Sequence, residues 1–465
     1  MKSYDVVVIG AGPGGYVNAI RSSQLGLKTA IVEKKDLGGV CLNVGCIPSK
    51  ALLRNAEIAH TLRERGKEFG FSFENLQLDY GTAFKRSRQI SQRLTKGVGF
   101  LMKKNNIDVF MGTAYIPSIG RVDITQDDGS VETLETKNIV LATGSTPMII
   151  PGMDVDGQKV LNYIHAIMLE SLPKSAVIIG GGAIGVEFST IWNSYGVDVT
   201  LVEMLPHLLP NEDEEASIEL EKAYKKRGIN VFVGSKVKEV KTLESGTKVV
   251  IEAPDGEKVV NADITLVAIG FRPNSKELGL EALGVSMDKR GFIEVDDKMS
   301  TNIPGIWAVG DVTGKLLLAH VASSMGIVCA ENIANTETIK LDYRMMPRAT
   351  FSQPQIASFG YTESQAKDAG INVRIGKFPF QPNGKALGLG DYSGFAKLVV
   401  EEKTGEVLGA SLVGPEVSEL LPELTLAQAN ELTVTEIARN VHTHPTLSEV
   451  LLEAAEAAEG HGIHM

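Results

Sequence analysis

The sequence has few cysteines, three in 465 residues, and no long apolar segment. Three thiols are too few for the disulfide framework of a small secreted protein. The most apolar stretch, residues 176–188, is shorter than the roughly 20 residues that a membrane helix needs, and it contains several glycines. No signal-peptide pattern precedes the first strand-like run, which starts at Tyr4. We therefore expect a cytoplasmic protein that does not enter a membrane.

Basic residues are also in the minority, since 46 lysines and arginines stand against 57 aspartates and glutamates, giving a net charge of −11. Without a basic excess nothing would offset the phosphates of a nucleic acid, so we expect no nucleic-acid partner. An acidic surface weakly favours basic protein partners. The length of 465 residues is typical of about three domains.

The sequence repeats one strand–turn–helix–strand pattern. Apolar runs at residues 6–9 and 177–179 each lead into a GxGxxG turn. The glycines that share the spacing of this motif are Gly10, Gly12 and Gly15 in the first turn and Gly180, Gly182 and Gly185 in the second. In each copy the next apolar strand ends on a glutamate, Glu33 or Glu203, 23 residues after the first glycine. Two copies with the same acid spacing predict two dinucleotide-binding units.

Each glycine of the motif has its own physical role. The first makes a tight turn, the second lets the backbone approach a pyrophosphate, and the third allows close packing of helix on strand. The pyrophosphate then lies at a helix N-terminus, where free N–H groups favour anions. Glu33 and Glu203 can each accept hydrogen bonds from ribose hydroxyls, and a carboxylate would repel a 2′-phosphate. Glu203 therefore favours NAD over NADP.

The order of the later strands predicts the domain organisation. Apolar strands that end in small residues lie at 139–144, 265–270 and 306–311. This order predicts an α/β fold with two Rossmann-like dinucleotide-binding domains, the second inserted in the first. We place the outer domain at residues 1–146 and 275–342 and the inserted domain at residues 147–274. Strand patterns near 396–400 and 408–413, with helical patterns near 416–430 and 447–459, predict a C-terminal α+β domain at residues 343–465.

Two of the cysteines, Cys41 and Cys46, lie five residues apart after the first acid-terminated strand. A zinc site would need a second cysteine pair or added histidines, so we expect no metal site. A redox disulfide needs only two cysteines whose Cα atoms approach to about 5.5–6 Å. A helix start would also lower a thiol pKa and favour the thiolate. The third cysteine, Cys329, lies in an apolar helical segment and is predicted to be buried.

The segment 39–50, GVCLNVGCIPSK, closely resembles the active-site segment of the pyridine nucleotide–disulfide reductases. The resemblance extends along the whole chain, and within the family it is greatest to the enzymes that oxidise dihydrolipoamide. It implies that the first unit binds FAD, that the inserted unit binds NAD, and that the C-terminal domain forms a homodimer. It also implies two kinds of partner, lipoyl-bearing proteins and the dihydrolipoyl acyltransferase core of a 2-oxo acid dehydrogenase or glycine cleavage complex.

The resemblance also implies roles for individual residues. Cys46 would face the flavin and Cys41 would exchange with substrate. Lys50 would lie beside the flavin and pair with Glu187, and its position one turn after Cys46 favours this role over that of a solvated helix charge. The other FAD contacts implied are Ala114, Thr143, Gly144, Asp311 and Ala319, and Gly270 is added to the NAD contacts. The residue before Cys41 is commonly threonine in the family and is Val40 here.

A dithiol substrate needs a base, because only the thiolate attacks a disulfide and a free thiol has a pKa of about 8.5. His444 precedes a proline, which holds it out of a helix, and Glu449 is placed to orient its imidazole. The segment resembles the family's histidine–glutamate dyad, which acts on the disulfide of the partner subunit. We interpret the histidines His207, His320 and His442 as structural.

Other functions stay open at this point. A reductase of glutathione or mercuric ion would keep the fold. Glu203 disfavours the glutathione enzyme, and the lack of any cysteine after Cys329 disfavours the mercuric enzyme. A catalytically idle scaffold flavoprotein is disfavoured by the intact Cys41, Cys46 and His444. The sequence therefore predicts that dihydrolipoamide is oxidised to lipoamide through the disulfide and FAD, with reduction of NAD⁺ to NADH.

Overall fold

The computed structural model describes residues 2–464 and contains strands, α-helices and one 3-10 helix, Gly310–Thr313. The strands are β1 (Lys2–Ile9), β2 (Thr29–Glu33), β3 (Asp108–Met111), β4 (Thr113–Ser118), β5 (Arg121–Thr125), β6 (Val131–Leu141), β7 (Ser145–Pro147), β8 (Val160–Leu161), β9 (Ser175–Ile179), β10 (Asp198–Val202), β11 (Asn230–Phe232), β12 (Lys236–Thr242), β13 (Thr247–Ala253), β14 (Gly256–Ala262), β15 (Ile264–Val267), β16 (Phe271–Pro273), β17 (Ile306–Ala308), β18 (Arg348–Thr350), β19 (Gln355–Gly360), β20 (Val373–Pro379), β21 (Phe395–Glu401) and β22 (Val407–Gly414). The helices are α1 (Pro13–Gln24), α2 (Gly39–Asn43), α3 (Cys46–Glu64), α4 (Tyr80–Lys104), α5 (Tyr163–Ala166), α6 (Ala183–Ser194), α7 (Glu214–Lys226), α8 (Leu280–Leu283), α9 (Ala319–Ile333), α10 (Glu363–Asp368), α11 (Gly384–Leu389), α12 (Val417–Ala429), α13 (Val434–Arg439) and α14 (Glu449–Glu459).

The first large sheet contains the first glycine turn. Its strand order is β3-β2-β1-β6-β5-β4, and β17 pairs with the other edge of β6. Strands β1, β2, β3, β6 and β17 are parallel where they pair, with β1 between β2 and β6. Val6, Val7 and Val8 of β1 are fully buried, because a parallel sheet in an α/β protein is covered on both faces. Since β17 lies more than 160 residues after β6, the chain leaves this sheet and returns to it.

The second parallel sheet contains the second glycine turn and has the order β11-β10-β9-β15-β8. A three-stranded antiparallel sheet, β12-β13-β14, lies in the same part of the chain. The chain enters and leaves this part through β7 and β16, which pair antiparallel with Ser145 opposite Pro273. The way in which the strands are divided between the two parallel sheets agrees with an inserted unit. The domain boundaries at residues 146, 275 and 342 remain our proposal.

The C-terminal part forms an antiparallel sheet in the order β18-β19-β22-β21-β20. Helices α12, α13 and α14 pack on it around a separate apolar core. The two predicted strands and two predicted helices of this part are present with small shifts at their ends. The α/β class with a C-terminal α+β domain is therefore confirmed.

Helix α4 is the longest in the fold, with 25 residues. It begins after Asp79, whose carboxylate accepts a hydrogen bond from the Thr82 N–H at 3.1 Å and so satisfies one free amide of the first turn. One side of α4 is buried and packs along α3, which begins at Cys46. Between residues 2 and 464, no helix is both long enough and apolar enough to cross a membrane.

A lysine buried in the C-terminal sheet joins this sheet to the second nucleotide-binding unit. The ammonium of Lys397 on β21 lies 3.2 Å from the Asp213 carboxylate, 2.7 Å from Glu215 and 2.9 Å from Glu363. The side chains of Lys397 and Asp213 are only 3% and 5% exposed. Burial alone would lower the pKa of Lys397, but the hydrogen bonds to Glu215 and Glu363 and the attraction of Asp213 raise it. The ammonium is therefore charged, and we call these four residues the lysine cluster.

We expect Lys397→Met to destabilise the protein by about 3 kcal/mol, because Asp213 would stay buried without its cation. The matched control is Lys367→Met, which removes an exposed lysine that also pairs with Glu363 and should cost at most about 0.5 kcal/mol. Calorimetric melting of the two FAD-loaded variants at one scan rate measures the difference. Equal melting temperatures for the two variants would contradict a stabilising role for the buried ion pairs of Lys397.

Candidate active site

The outer glycines of both nucleotide turns are required by the backbone. Gly10 and Gly180 have φ angles of +101° and +107°, and a Cβ on either would lie within 2.4 Å of a carbonyl oxygen on the neighbouring strand end. A Cβ on Gly15 or Gly185 would lie 1.9 Å from the carbonyl oxygen of the first glycine. The two turns therefore have the same shape, and any side chain at these four positions would force the helix away from the sheet.

The middle glycines, Gly12 and Gly182, have no such requirement from the protein. Their φ angles are −68° and −73°, and a Cβ built on either has no atom within 4 Å. Each is the N-cap of a helix, α1 or α6, and neither offers a side chain to cap the free N–H groups. The open space and the free amides are what a pyrophosphate needs at a helix N-terminus. Both turns therefore fit a dinucleotide.

The strand-ending acids close each turn through the backbone. Glu33 accepts a hydrogen bond from the Ala11 N–H at 2.7 Å, and Glu203 accepts one from the Gly181 N–H at 2.6 Å. The second oxygen of each carboxylate accepts from the N–H two residues farther along the chain. Glu33 is half-buried and Glu203 is buried. Both carboxylates thus lie against the backbone of their glycine turn, the position predicted for a ribose contact.

The aspartate that follows β17 is a half-buried acid with a polar partner. Its partial burial raises the pKa of Asp311, and the Ser145 hydroxyl, which donates to it at 2.8 Å, acts in the opposite direction. A half-buried carboxylate of this kind suits a hydroxyl-rich ligand such as a ribityl chain. Ala319 begins α9 after this loop, and Ala114 is buried on β4.

Thr143 and Gly144 lie where the chain leaves the first sheet. The Thr143 hydroxyl donates to the Asn274 carbonyl at 2.7 Å, and the Asn274 amide donates to the Thr143 carbonyl at 2.9 Å. The Gly270 carbonyl accepts from the Met148 N–H at 2.9 Å, beside the same crossing. Thr143, Gly144 and Gly270 therefore lie on the two chain segments that connect the nucleotide-binding units.

The two cysteines lie on consecutive helices that follow the first nucleotide turn. Cys41 is in the short helix α2, and Cys46 is the first residue of α3. Both are half-buried free thiols, and they lie close enough for each to shift the pKa of the other. The pair is therefore placed for reversible disulfide formation, with Cys46 at a helix N-terminus.

The pKa values of the two thiols move in opposite directions. The hydrogen bond from Cys41, followed by the charge of Lys50, lowers the pKa of Cys46 to about 7, although burial opposes the shift. The same hydrogen bond, with burial, raises the pKa of Cys41. When the pair is reduced, the negative charge therefore resides on Cys46.

Helix α2 is braced by α4. The Arg88 guanidinium donates to the Asn43 carbonyl at 2.6 Å, and the Thr95 hydroxyl donates to the Asn43 side-chain oxygen at 3.0 Å. The Asn43 amide in turn donates to the Gly39 carbonyl at 2.9 Å. These bonds fix the backbone around Cys41, which otherwise lies in a helix of only five residues.

Lys50 forms an ion pair that joins α3 to α6. Its ammonium lies 2.8 Å from both carboxylate oxygens of Glu187, which is 6% exposed on α6. The alternative interpretation of Lys50, a solvated helix charge, is disfavoured by its buried partner. The pair links the helix of Cys46 to the helix of the second nucleotide turn.

His444 and Glu449 form the predicted dyad. The Nδ1 atom of His444 lies 2.8 Å from Glu449, whose other oxygen accepts from the Thr446 N–H at 2.8 Å. Burial alone would raise the pKa of Glu449, but the Thr446 N–H and the His444 imidazole lower it. The His444 side chain is 78% exposed. The dyad is therefore a charged carboxylate holding an imidazole at the surface.

The dyad makes no polar contact with the cysteine pair of its own chain: between residues 2 and 464, no hydrogen bond or ion pair joins His444 to Cys41 or Cys46. The ion pair of Lys50 and Glu187 does lie with the cysteines. In the same described part of the chain, no three acidic, histidine or cysteine side chains are arranged to hold a metal ion.

Sequence reasoning did not identify several residues of the site. Each of the missed residues contacts a predicted one from a distant part of the chain: Ser145 contacts Asp311, Asn274 contacts Thr143, and Phe351 contacts Lys50. No local motif marks them. Ser145 is the first residue of β7, four residues after β6 ends, and a polar residue soon after a parallel strand is the one signal that could have been used.

Two family models match the chain. The model described as pyridine nucleotide-disulphide oxidoreductase matches residues 4–326. The model described as the dimerisation domain of pyridine nucleotide-disulphide oxidoreductases matches residues 346–455. The two matches together cover the cysteine pair, both glycine turns and the dyad.

Full-length relatives agree with these matches. The chain is 51% identical to the dihydrolipoyl dehydrogenase of Mycobacterium leprae, with 100% of both chains covered. It is 47% identical to the dihydrolipoyl dehydrogenase of Corynebacterium glutamicum, with 100% of this chain and 99% of the relative covered. Among solved structures, LpdA of Mycobacterium tuberculosis superposes with a TM-score of 0.90 at 28% identity, covering 98% of this chain and 99% of that one.

Proposed function

Because the chain belongs to the pyridine nucleotide-disulphide oxidoreductase family, we propose that it oxidises dihydrolipoamide to lipoamide and reduces NAD⁺ to NADH. It does so as an FAD-dependent enzyme with a redox-active cysteine pair. The observation that carries the proposal is the Cys46 thiol, which lies at the start of α3 with a pKa lowered to about 7 by the hydrogen bond of Cys41 and the charge of Lys50. A thiol of this kind leaves readily from a disulfide.

The cysteine pair accepts two electrons from the substrate in two exchange steps. In the first, a substrate thiolate attacks the sulfur of Cys41 in the Cys41–Cys46 disulfide, the S–S bond breaks, and Cys46 leaves as a thiolate. In the second, the other substrate thiolate attacks the substrate sulfur of the mixed disulfide and releases Cys41. The substrate becomes a cyclic disulfide, and the cysteine pair becomes a dithiol in which Cys46 is charged.

The protons of the substrate need an acceptor. The imidazole of His444 accepts the proton of the first thiol, and the Glu449 carboxylate stabilises the resulting cation at 2.8 Å. The proton of the second thiol passes to the Cys41 sulfur as that sulfur is released. Because the dyad is exposed and makes no polar contact with the cysteines in the described part of its own chain, it acts on the disulfide of the second subunit in the dimer. The dimerisation-domain match includes both dyad residues.

The two glycine turns are where the cofactors would bind. Gly10, Gly12 and Gly15 would hold FAD, with Glu33 toward its ribose and Asp311 toward its ribityl chain. The second turn would hold NAD, because the Glu203 carboxylate would repel a 2′-phosphate. When bound, FAD carries the electron pair from the reduced cysteines to NAD⁺. Lys50, held by Glu187, keeps a positive charge beside Cys46 while that thiol is ionised.

The assembly follows from the same proposal. The enzyme is a cytoplasmic homodimer, formed through the domain that contains residues 346–455. Its substrates are lipoyl groups on other proteins, and a dihydrolipoyl acyltransferase core of a 2-oxo acid dehydrogenase or glycine cleavage complex is its expected partner. A pull-down with candidate core subunits tests this association.

Steady-state turnover tests the proposed reaction. We expect the FAD-loaded dimer to form NADH from dihydrolipoamide and NAD⁺, with ping-pong kinetics because two half-reactions share one redox centre. NADP⁺ should be a much poorer acceptor because of Glu203. Glutathione disulfide with NADPH is the comparison reaction. Turnover of glutathione disulfide in place of dihydrolipoamide would overturn the proposal, as would no turnover of either substrate.

A further inference from the structure

Phe351 contacts both members of the ion pair beside the cysteines. It follows β18 in the C-terminal part of the chain, where it is half-buried against the core beneath α3 and α6. Its backbone N–H donates to the Glu187 carboxylate at 3.1 Å. The face of its ring lies under the Lys50 ammonium, which is 4.6 Å from the ring centroid. One residue therefore holds both partners of the pair.

These contacts join three parts of the fold at the redox centre. Lys50 is on α3 of the first nucleotide-binding unit, Glu187 is on α6 of the second, and Phe351 belongs to the C-terminal part. Both oxygens of Glu187 bind the Lys50 ammonium, so the carboxylate holds the cation from one direction. The ring supplies a second contact, which is attractive because the π face of an aromatic ring is negative.

We propose that Phe351 is a positioning residue of the redox centre, whose ring and amide hold the Lys50 ammonium beside Cys46. This inference rests on the proposed function, because it assigns a further residue to the same site. Lys50 has a long side chain that is 35% exposed, so without the ring its charge would move more freely. The Cys46 thiolate would then lose part of its electrostatic stabilisation.

Several charged and titratable groups around Cys46 influence its pKa, so an experiment on Phe351 must separate their effects. Cys41 faces Cys46 from α2, Lys50 from its own helix, Glu187 from α6, and Tyr163 from α5. The hydrogen bond of Cys41 is the largest influence on the pKa of Cys46, and Lys50 and Glu187 act on it in opposite directions. Titration of a protein with Cys46 as the single thiol of the pair removes the largest of these couplings.

The test is a pH titration of the Cys46 thiolate in FAD-loaded Cys41→Ser protein. A thiolate in contact with oxidised flavin gives a long-wavelength absorption band, which reports its ionisation without any dithiol substrate or NAD⁺. We expect Phe351→Leu, which keeps an apolar side chain but removes the ring, to raise this pKa by roughly half a pH unit. Phe351→Tyr keeps the ring and should leave the titration unchanged.

A Lys50→Met background separates positioning from packing. If the ring acts through the ammonium, Phe351→Leu should cause no further shift once Lys50→Met has removed the charge. An equal shift with and without Lys50 would overturn the proposal, as would no shift in either background or a tyrosine variant that behaves like leucine. If Phe351→Leu fails to fold, a fluorinated phenylalanine at position 351 keeps the ring shape while weakening its π face, and the same shift is expected.

The titration is independent of the proposed reaction. It uses neither dihydrolipoamide nor NAD⁺, so a protein that failed to oxidise dihydrolipoamide could still show the shift that depends on Phe351. Conversely, normal turnover with no shift would overturn the role of Phe351 and leave the reaction intact.

Discussion

Cys46→Ser is expected to abolish NADH formation from dihydrolipoamide, lowering kcat by about 10⁴-fold or more. A serine hydroxyl cannot form a disulfide with Cys41, so the substrate has no S–S bond to attack and its electrons have no path into the enzyme. The measurement is NADH absorbance under saturating dihydrolipoamide and NAD⁺. Cys329→Ala is the matched control, because Cys329 is fully buried and outside the redox pair, and its turnover should stay near that of the unchanged protein.

A second reaction shows whether Cys46→Ser has lost only the thiol chemistry. Reduction of ferricyanide by NADH needs the two nucleotide sites but not the cysteine pair, so the variant should retain it. A variant that still oxidises dihydrolipoamide at an appreciable rate would contradict the assignment of Cys46. A variant that loses FAD would point to a structural role, and the flavin absorbance of the purified protein distinguishes the two cases.

His444→Gln is expected to lower kcat/KM for dihydrolipoamide by about 10²–10⁴-fold at neutral pH, because the amide cannot accept the thiol proton. The residual rate should rise with pH up to about 8.5, as the substrate thiol ionises without assistance. The pH profile of kcat/KM therefore tests the role of the base directly. A profile that is lowered equally at all pH values would argue against proton transfer by His444.

A second histidine–glutamate pair provides the matched control for this variant. His464 lies 2.6 Å from Glu453 and its side chain is 71% exposed, which closely matches the geometry of His444 and Glu449. His464→Gln removes the same chemical group from a similar environment and should leave kcat/KM nearly unchanged. An equal loss in both variants would indicate a general effect on the C-terminal domain.

Mixed dimers test which chain the base serves. In a dimer of one Cys46→Ser subunit and one His444→Gln subunit, one site would combine an intact cysteine pair with an intact His444 if the dyad acts across the interface. Such mixtures should recover turnover that neither variant has by itself. No recovery would indicate that His444 acts within its own chain.

The features predictable from the sequence are those whose physical cause is local. The glycine turns could be identified because Gly10 and Gly180 need positive φ angles within a few residues of their strands. The dyad could be identified because His444 and Glu449 are five residues apart. The resemblance of the segment around Cys41 supplied the remaining roles, including Glu187.

The features that could not be predicted depend on side chains that are distant in sequence. Phe351 donates to Glu187 from 164 residues away, and Lys397 reaches Asp213 across 184 residues. Lys397 is a single cation within an apolar strand, a pattern that by itself indicates an exposed edge more readily than a buried joint. The packing of the C-terminal sheet against α7 brings Asp213 and Glu215 to this lysine, and Glu363 approaches it from α10.

The paired strands β7 and β16 have a consequence for how this chain could have arisen. Because Ser145 lies opposite Pro273 in a separate two-stranded sheet, the segment between them begins and ends at neighbouring residues. Domain insertions are tolerated when the ends of the guest lie close together, since the host then needs no rearrangement. Replacement of the whole segment between Ser145 and Pro273 by another domain would therefore change the electron acceptor of an ancestral enzyme and leave its disulfide chemistry unchanged.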